Sequence, residues 1–280
     1  MDTGYIVDSH VHLWDTTRFR YPWLADLPAL NHPFLSPDFV AASAASNIGK
    51  WIFVECGAVP SLGEVDWISD LAKSEKRIRG IVAYVSLEKG EAVRADLEEL
   101  SARPLVKGIR RNVQGETPAF CLSPEFLTGV KLLKDFGFTF DLCIRHQQLP
   151  AVIELVRRVP EVNFILDHFG KPAVRGTKTE PWATHLQELA KSPNVVCKVS
   201  GLTTEADWKN WQPADLKVYF EQALECFGFD RLLFGGDWPV STLATSYERW
   251  MDTVQNFLSF AKAADRTKVF KSNAERIYRV

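Results

Sequence analysis

An α/β fold, a (β/α)8 TIM-type barrel in a single domain over residues 1–280, is what the sequence predicts. Three observations carry this. Short β-branched apolar runs recur eight times, an amphipathic segment follows each, and 280 residues lie close to the roughly 250 such a barrel needs. The runs are mostly apolar rather than alternating, as expected of parallel strands covered on both faces. An open, doubly wound sheet is the alternative, but no G-x-G-x-x-G follows any early strand.

The strands are expected, in order, at YIVDSH (5–10), KWIFVEC (50–56), IRGIVAYV (78–85), LVKGIR (105–110), FTFDLCI (138–144), VNFILDH (162–168), VVCKVSG (195–201) and RLLFGGD (231–237). The helical segments between them are DFVAASAASN, EVDWISDLAKSEK, EAVRADLEELSA, EFLTGVKLLKDFG, LPAVIELVRRV, WATHLQELAKS and LKVYFEQALECFG, with YERWMDTVQNFLSFAKA after the eighth strand. Ser36-Pro37, Ser123-Pro124 and Pro213 mark helix starts, because a hydroxyl can cap free N–H groups and proline suits the first turn. VFKSNAERIYRV is expected to close the fold as a last helix. Residues 16–37, rich in aromatics and prolines, form a long connection of the kind usually kept for function. Trp23 and Phe34 there either cover the barrel mouth or wall a pocket.

Composition excludes several classes. Hydrophobic residues at 46% supply a large core, and a formal charge of −2 leaves no basic excess for nucleic acid or anionic membrane. No apolar run approaches the ~20 residues of a membrane helix, and the N-terminal residues lack a signal-peptide pattern. Five single cysteines without a C-x-x-C pair read as reduced thiols, with a cytoplasmic location expected.

In such a barrel, chemistry sits where strands end. Those positions hold His10 and His12, Glu55, Arg110 and Arg111, Asp167 and His168, Lys198, and Asp237 with Trp238. Residues i and i+2 of a strand face the same way, so the two histidines converge on one point. That suits two imidazole ligands on one divalent metal, or two hydrogen-bonding groups on one substrate oxygen. The eighth strand neighbours the first in a closed barrel, which brings Asp237 beside the pair. A carboxylate there can ligate a metal, take a proton from water, or do both in turn. His168 is a candidate proton donor or electrophile, and Lys171 a candidate for binding an anion or hydroxyl.

With those residues in place, VDSHVHLWD, YPWL, KGIR, LDHFGKP, KVSGL and FGGDWP, running from Val7 to Pro239, resemble the amidohydrolase superfamily. The resemblance is to its amidohydrolase-related (amidohydrolase 2) lactonase branch, which includes sugar-acid lactonases of the L-fuconolactonase and L-rhamnonolactonase types and 2-pyrone-4,6-dicarboxylate lactonase. It implies hydrolysis of a lactone inside the barrel. Asp237 would activate water, His10, His12 and His168 would surround the ester, and Arg110 would polarise the carbonyl or hold the substrate. Trp14, Trp23 and Trp238 are expected to stack on the ring, with Arg111, Lys171 and Lys198 contacting hydroxyls.

A binuclear metal centre is not expected, because the histidine of strand five is displaced to His146, beyond Arg145. His10, His12 and Asp237 offer three ligands for one zinc, or the chemistry proceeds without metal; no organic cofactor is implied. The expected partner is a small lactone; oligomeric state stays open. Rival readings on the same barrel are a pyrone-dicarboxylate lactonase, a metal-dependent non-oxidative decarboxylase, a lactone isomerase and a non-catalytic binding module.

Overall fold

The computed structural model describes residues 4–280. Eight strands lie in sequential order, all pairs parallel: β1 Ile6–Val11, β2 Ile48–Val54, β3 Ile78–Tyr84, β4 Val106–Arg110, β5 Thr139–Leu142, β6 Phe164–Leu166, β7 Val195–Val199 and β8 Leu232–Phe234. Helices alternate with them: α1 Ser36–Ala42, α2 Ser61–Leu71, α3 Arg94–Ser101, α4 Pro124–Leu132, α5 Leu149–Arg158, α6 Trp182–Ala190, α7 Leu202–Glu205, α8 Pro213–Phe227 and α9 Tyr247–Phe257. The eight expected strands and nine helical segments are present. The connection after β7 carries the additional short α7. The last segment begins earlier than expected, as α10 Ala263–Thr267, a π-turn over Lys268–Ser272 and α11 Asn273–Tyr278.

Closure between β8 and β1 runs through residues beyond β8. Val11 bridges Trp238, His12 N donates to Trp238 O at 2.7 Å, and Asp237 N donates to His10 O at 2.9 Å.

The helices form because their apolar positions share one face. In α5, Leu149, Val152, Ile153 and Val156 recur at helical spacing and are buried, while Arg158 stays exposed and pairs with Glu154 at 2.7 Å. Ser123 caps α4 by accepting from Phe126 N. Ser36 does not cap α1. The helix already includes it, and Asp38 secures the start by accepting from Leu35 N at 2.8 Å.

Two apolar layers result. The larger lies between strands and helices, where full burial of a side chain such as Phe140 or Trp182 stabilises by about 1.5–3 kcal/mol. The smaller joins Val7, Ile52, Val82, Ile165, Val196 and Leu233, and is plugged from the closing helix by Ala274 and Tyr278. Packing is tight where α4 meets the segment before α3. A Cβ on Gly129 would lie 2.1 Å from Leu87 O, a backbone atom that cannot swing away. Gly129→Ala is therefore expected to destabilise by about 1–3 kcal/mol, measurable as a lower urea midpoint.

Among the described residues no helix is long and apolar enough to cross a membrane, and the five cysteines are free thiols.

Candidate active site

A cavity of about 310 Å³ opens at the C-terminal ends of the strands, and His12, His168 and Asp237 reach it. They meet His10 at its floor. His10 Nε2 and His12 Nε2 are 3.1 Å apart, and both face Asp237 Oδ1, at 3.6 and 3.5 Å. His168 Nε2 lies 3.8 Å from the same oxygen.

Local backbone departures create this convergence. The β1–β2 register shifts between Asp8 and Val11, a bulge that re-aims the strand end. Asp8 holds it by accepting from His10 N and Gly236 N, each at 2.9 Å, and from Tyr247 OH at 2.7 Å. Burial pushes the Asp8 carboxyl up to about 6 despite these donors. Gly236 is required here, since a Cβ would lie 2.4 Å from the Tyr247 ring and 2.6 Å from Asp8 Oδ2.

Strand β6 ends two residues earlier than expected, so Asp167 and His168 sit in a turn rather than on alternate faces of a strand. His168 and Phe169 take left-handed φ values of 54° and 56°, which lets Asp167 and His168 both point inward. His168 Nδ1 is 2.8 Å from Ser200 Oγ. A Cβ on Gly201, itself at φ +66°, would fall 2.5 Å from that nitrogen. Gly201→Ala is expected to displace the ring and lower kcat by about 10–100-fold, with circular dichroism unchanged.

Burial pushes His168 down to about 4, so the ring is neutral near pH 7. Burial opposes charge on Asp237, but His168, His12 and His10 outweigh it and hold the carboxyl well below its usual range. His12 Nδ1 faces Val54 O at 2.8 Å. A carbonyl only accepts, so the proton is on Nδ1 and Nε2 keeps its lone pair.

The donor set fits a metal. Asp237 Oδ1 is buried without a hydrogen-bond partner among the described residues. Tetrahedral zinc ligands at ~2.0–2.1 Å stand about 3.3 Å from one another, near the separations of His10, His12 and Asp237. His10, His168 and Asp237 also form a group able to hold an ion, making His168 a fourth candidate.

Other expected residues fall into two groups. Arg110, Arg111, Lys171 and Trp23 line the cavity. Both arginines are engaged by acids. Arg110 donates to Glu55 Oε1 at 2.7 Å and Glu55 O at 2.5 Å and lies 3.4 Å from Asp167. Burial opposes its charge, but Glu55 and Asp167 keep it protonated. Arg111 is held by Glu88 at 3.1 Å and Glu116 at 2.7 Å, and lies over the Phe120 ring. Among the described residues, Lys171 Nζ donates to the neutral Gln114, at 2.5 Å.

Trp14, Trp238 and Lys198 are corrections: none lines the cavity. Trp14 is fully buried and donates to His32 O at 2.8 Å, because the long connection folds over it. Trp238 packs its ring against Phe34 and Phe39, outside the barrel mouth. Lys198 is fully buried beneath the floor. His146 turns its Nδ1 to Lys171 O at 3.0 Å and is not one of the ligand atoms that gather with His10, His168 and Asp237. Tyr84, Asn112 and Gln114 line the cavity without having been expected. Tyr84 ends β3 and was open to the same strand-end rule that found Arg110; the other two sit on a loop with no motif.

The amidohydrolase family profile matches residues 7–280. The chain is 33% identical over 285 residues to an L-fucono-1,5-lactonase of Burkholderia multivorans, covering 97% of this chain and 95% of that one. It is 31% identical over 295 residues to an uncharacterized protein of Sinorhizobium fredii, covering 98% of each. A crystal structure of a Burkholderia multivorans amidohydrolase with bound zinc superposes with a TM-score of 0.89 at 32% identity, covering 99% of this chain and 100% of that one.

Proposed function

The chain belongs to the amidohydrolase family, and we propose that within it this protein is a lactonase opening a neutral, sugar-derived lactone to its aldonic acid. An aldonolactone of the L-fucono or L-rhamnono kind is the substrate class. The observation that carries this is Asp237 Oδ1, a buried, unpartnered carboxylate oxygen ringed by three imidazoles at the cavity floor. The similarity to an L-fucono-1,5-lactonase over nearly the whole chain supports the substrate class.

Asp237 takes the proton of the attacking water as oxygen adds to the lactone carbonyl. Arg110, immobilised by Glu55, offers a fixed positive edge to the developing oxyanion. The ring C–O bond then breaks, and the departing oxygen receives a proton, from His168 or relayed from Asp237, to leave as an alcohol. His10, His12 and Asp237 are the residues that would hold a zinc ion, which when bound supplies a Lewis acid for the carbonyl and acidifies water. Zinc is favoured over other divalent ions by the nitrogen-rich donors and by the zinc in the related structure.

Charge favours a neutral substrate over a dicarboxylate. Arg110 and Arg111 are already neutralised by carboxylates, which leaves Lys171 as the lining cation without an acidic partner among the described residues. The decarboxylase reading is disfavoured because His146, bound to Lys171 O, is not among the ligand atoms that gather at Asp237. A cavity of about 310 Å³ lies at the small end of ~300–1,000 Å³ ligand sites and suits a single sugar ring.

Acid release from a panel of aldonolactones, beside a pyrone dicarboxylate, is expected to exceed spontaneous hydrolysis only for the sugar lactones. Chelation is expected to abolish it and added zinc to restore it. Turnover of the diacid alone, or an isomerised lactone as product, would overturn the substrate or the reaction respectively.

A further inference from the structure

Beneath the floor, outside the cavity, lies a charged layer with no contact to substrate space. Lys198 Nζ sits 2.5 Å from Asp141 Oδ2, 3.0 Å from Asp167 Oδ1 and 3.1 Å from His10 Nδ1, and all four residues are fully buried. Tyr278, on the closing helix α11, donates to Asp141 Oδ2 at 2.8 Å. Burying an ammonium between two carboxylates is rarely a net gain over packed aliphatic side chains, so packing alone does not account for the layer.

Its neutral member is His10. An ammonium only donates, so its contact with His10 Nδ1 uses that lone pair and leaves the ring proton on Nε2. Nε2 then donates to His12 Nε2, whose own proton is on Nδ1 toward Val54 O. The donors thus run in one consistent direction, from Lys198 through His10 and His12 to Val54. Asp167 Oδ1, fully buried and ion-paired with Lys198 at 3.0 Å, lies 3.3 Å from the same His10 Nδ1. It is a second seat. Turned to Asp167, Nδ1 carries the proton and Nε2 presents its lone pair to the floor.

We propose that Lys198 is a positioning residue, forming with Asp167 a two-sided seat for His10 Nδ1 that sets which ring nitrogen bears the proton, and that Tyr278 anchors this seat through Asp141. The proposal rests on the reading of His10 as part of the reactive floor. One seat makes His10 a hydrogen-bond donor to His12; the other makes it a metal ligand backed by a carboxylate.

Nitrogen NMR of the full-length protein with ¹⁵N-labelled histidine, His10 being assigned by comparison with His10→Asn, tests this without substrate. Metal-free protein is expected to show His10 with Nδ1 unprotonated, and zinc to move the proton onto Nδ1. The double variant Lys198→Met/Asp141→Asn removes the Lys198–Asp141 pair together and leaves Asp167 facing Arg110 at 3.4 Å. It is expected to shift metal-free His10 to the Nδ1-protonated form. Tyr278→Phe, which keeps the packed ring, is expected to populate that form in part, and decides the matter should the double variant fail to fold. Asp167→Asn is expected to weaken zinc binding, read by dye competition, by about 10–100-fold. A wild-type tautomer in both the double variant and Tyr278→Phe overturns the proposal. Failure of wild-type protein to bind zinc counts against the metal in the proposed function, while the tautomer comparison still decides the seat.

Discussion

Asp237→Asn is expected to lower kcat on the turned-over aldonolactone by about 10²–10⁴-fold, the range that positioned general bases contribute. The physical reason is that the amide keeps the shape of the carboxyl and loses both its charge and its affinity for a proton. The backbone is expected to hold, because Asp237 N donates to His10 O and so ties β8 to β1 without the side chain. Zinc content is expected to fall with activity, since Asp237 Oδ1 is the one anionic atom facing the three imidazoles. Steady-state kinetics beside circular dichroism and metal analysis form the measurement. A folded variant within a few-fold of wild-type kcat would remove Asp237 from the mechanism.

Arg110→Met carries the largest expected effect on stability. The guanidinium is 6% exposed and neutralises Glu55 at 2.7 Å, with Asp167 at 3.4 Å. Methionine fills much of the volume but leaves Glu55 buried without its cation. Breaking a buried pair from one side costs about 3–5 kcal/mol. At about 2–4 °C per kcal/mol for chains approaching this size, the melting temperature is expected to fall by on the order of 10 °C. Lys at this position keeps the charge and loses the two-pronged contact with Glu55, so a smaller loss is expected. Arg110→Met melting within about 2 °C of wild type would mean that the Glu55–Arg110 pair carries little of the stability. The two substitutions differ in stability: Asp237→Asn is expected to remove chemistry with little unfolding, whereas Arg110→Met is expected to weaken the fold as well as remove the positive edge facing the oxyanion.

Much of the barrel was legible along the chain because its cause is local and repeated. A buried parallel strand needs an unbroken apolar run, and a helix covering it needs one apolar face; both leave periodic marks. His10, His12, His168 and Asp237 were legible for a related reason. Polar residues at strand ends violate the apolar pattern, and in a barrel those ends share one rim.

The substrate-contact expectations fared differently. Trp238 and Lys198 obeyed the same strand-end rule as Arg110, and Trp14 was expected at the mouth, yet their side chains went into packing or under the floor. Position along a strand is a one-dimensional property; the direction of a side chain is not. The bulge at Asp8 and the left-handed turn at His168 shift which residues face inward, and both depend on partners more than 30 residues away.

By itself, then, the sequence determined the eightfold alternation and the floor residues at the strand ends, since periodicity acts through neighbours in the chain, while the family was legible through the resemblance of its ordered motifs. Only the tertiary structure decided that Arg110 and Arg111 are already neutralised, that Lys198 lies against His10 outside the cavity, and that Asp237 Oδ1 has no hydrogen-bond partner among the described residues. Those are matters of distance between remote charges. In a buried site such distances fix which groups remain available to a ligand, because a charge that has a partner at 2.7 Å has little left to offer another.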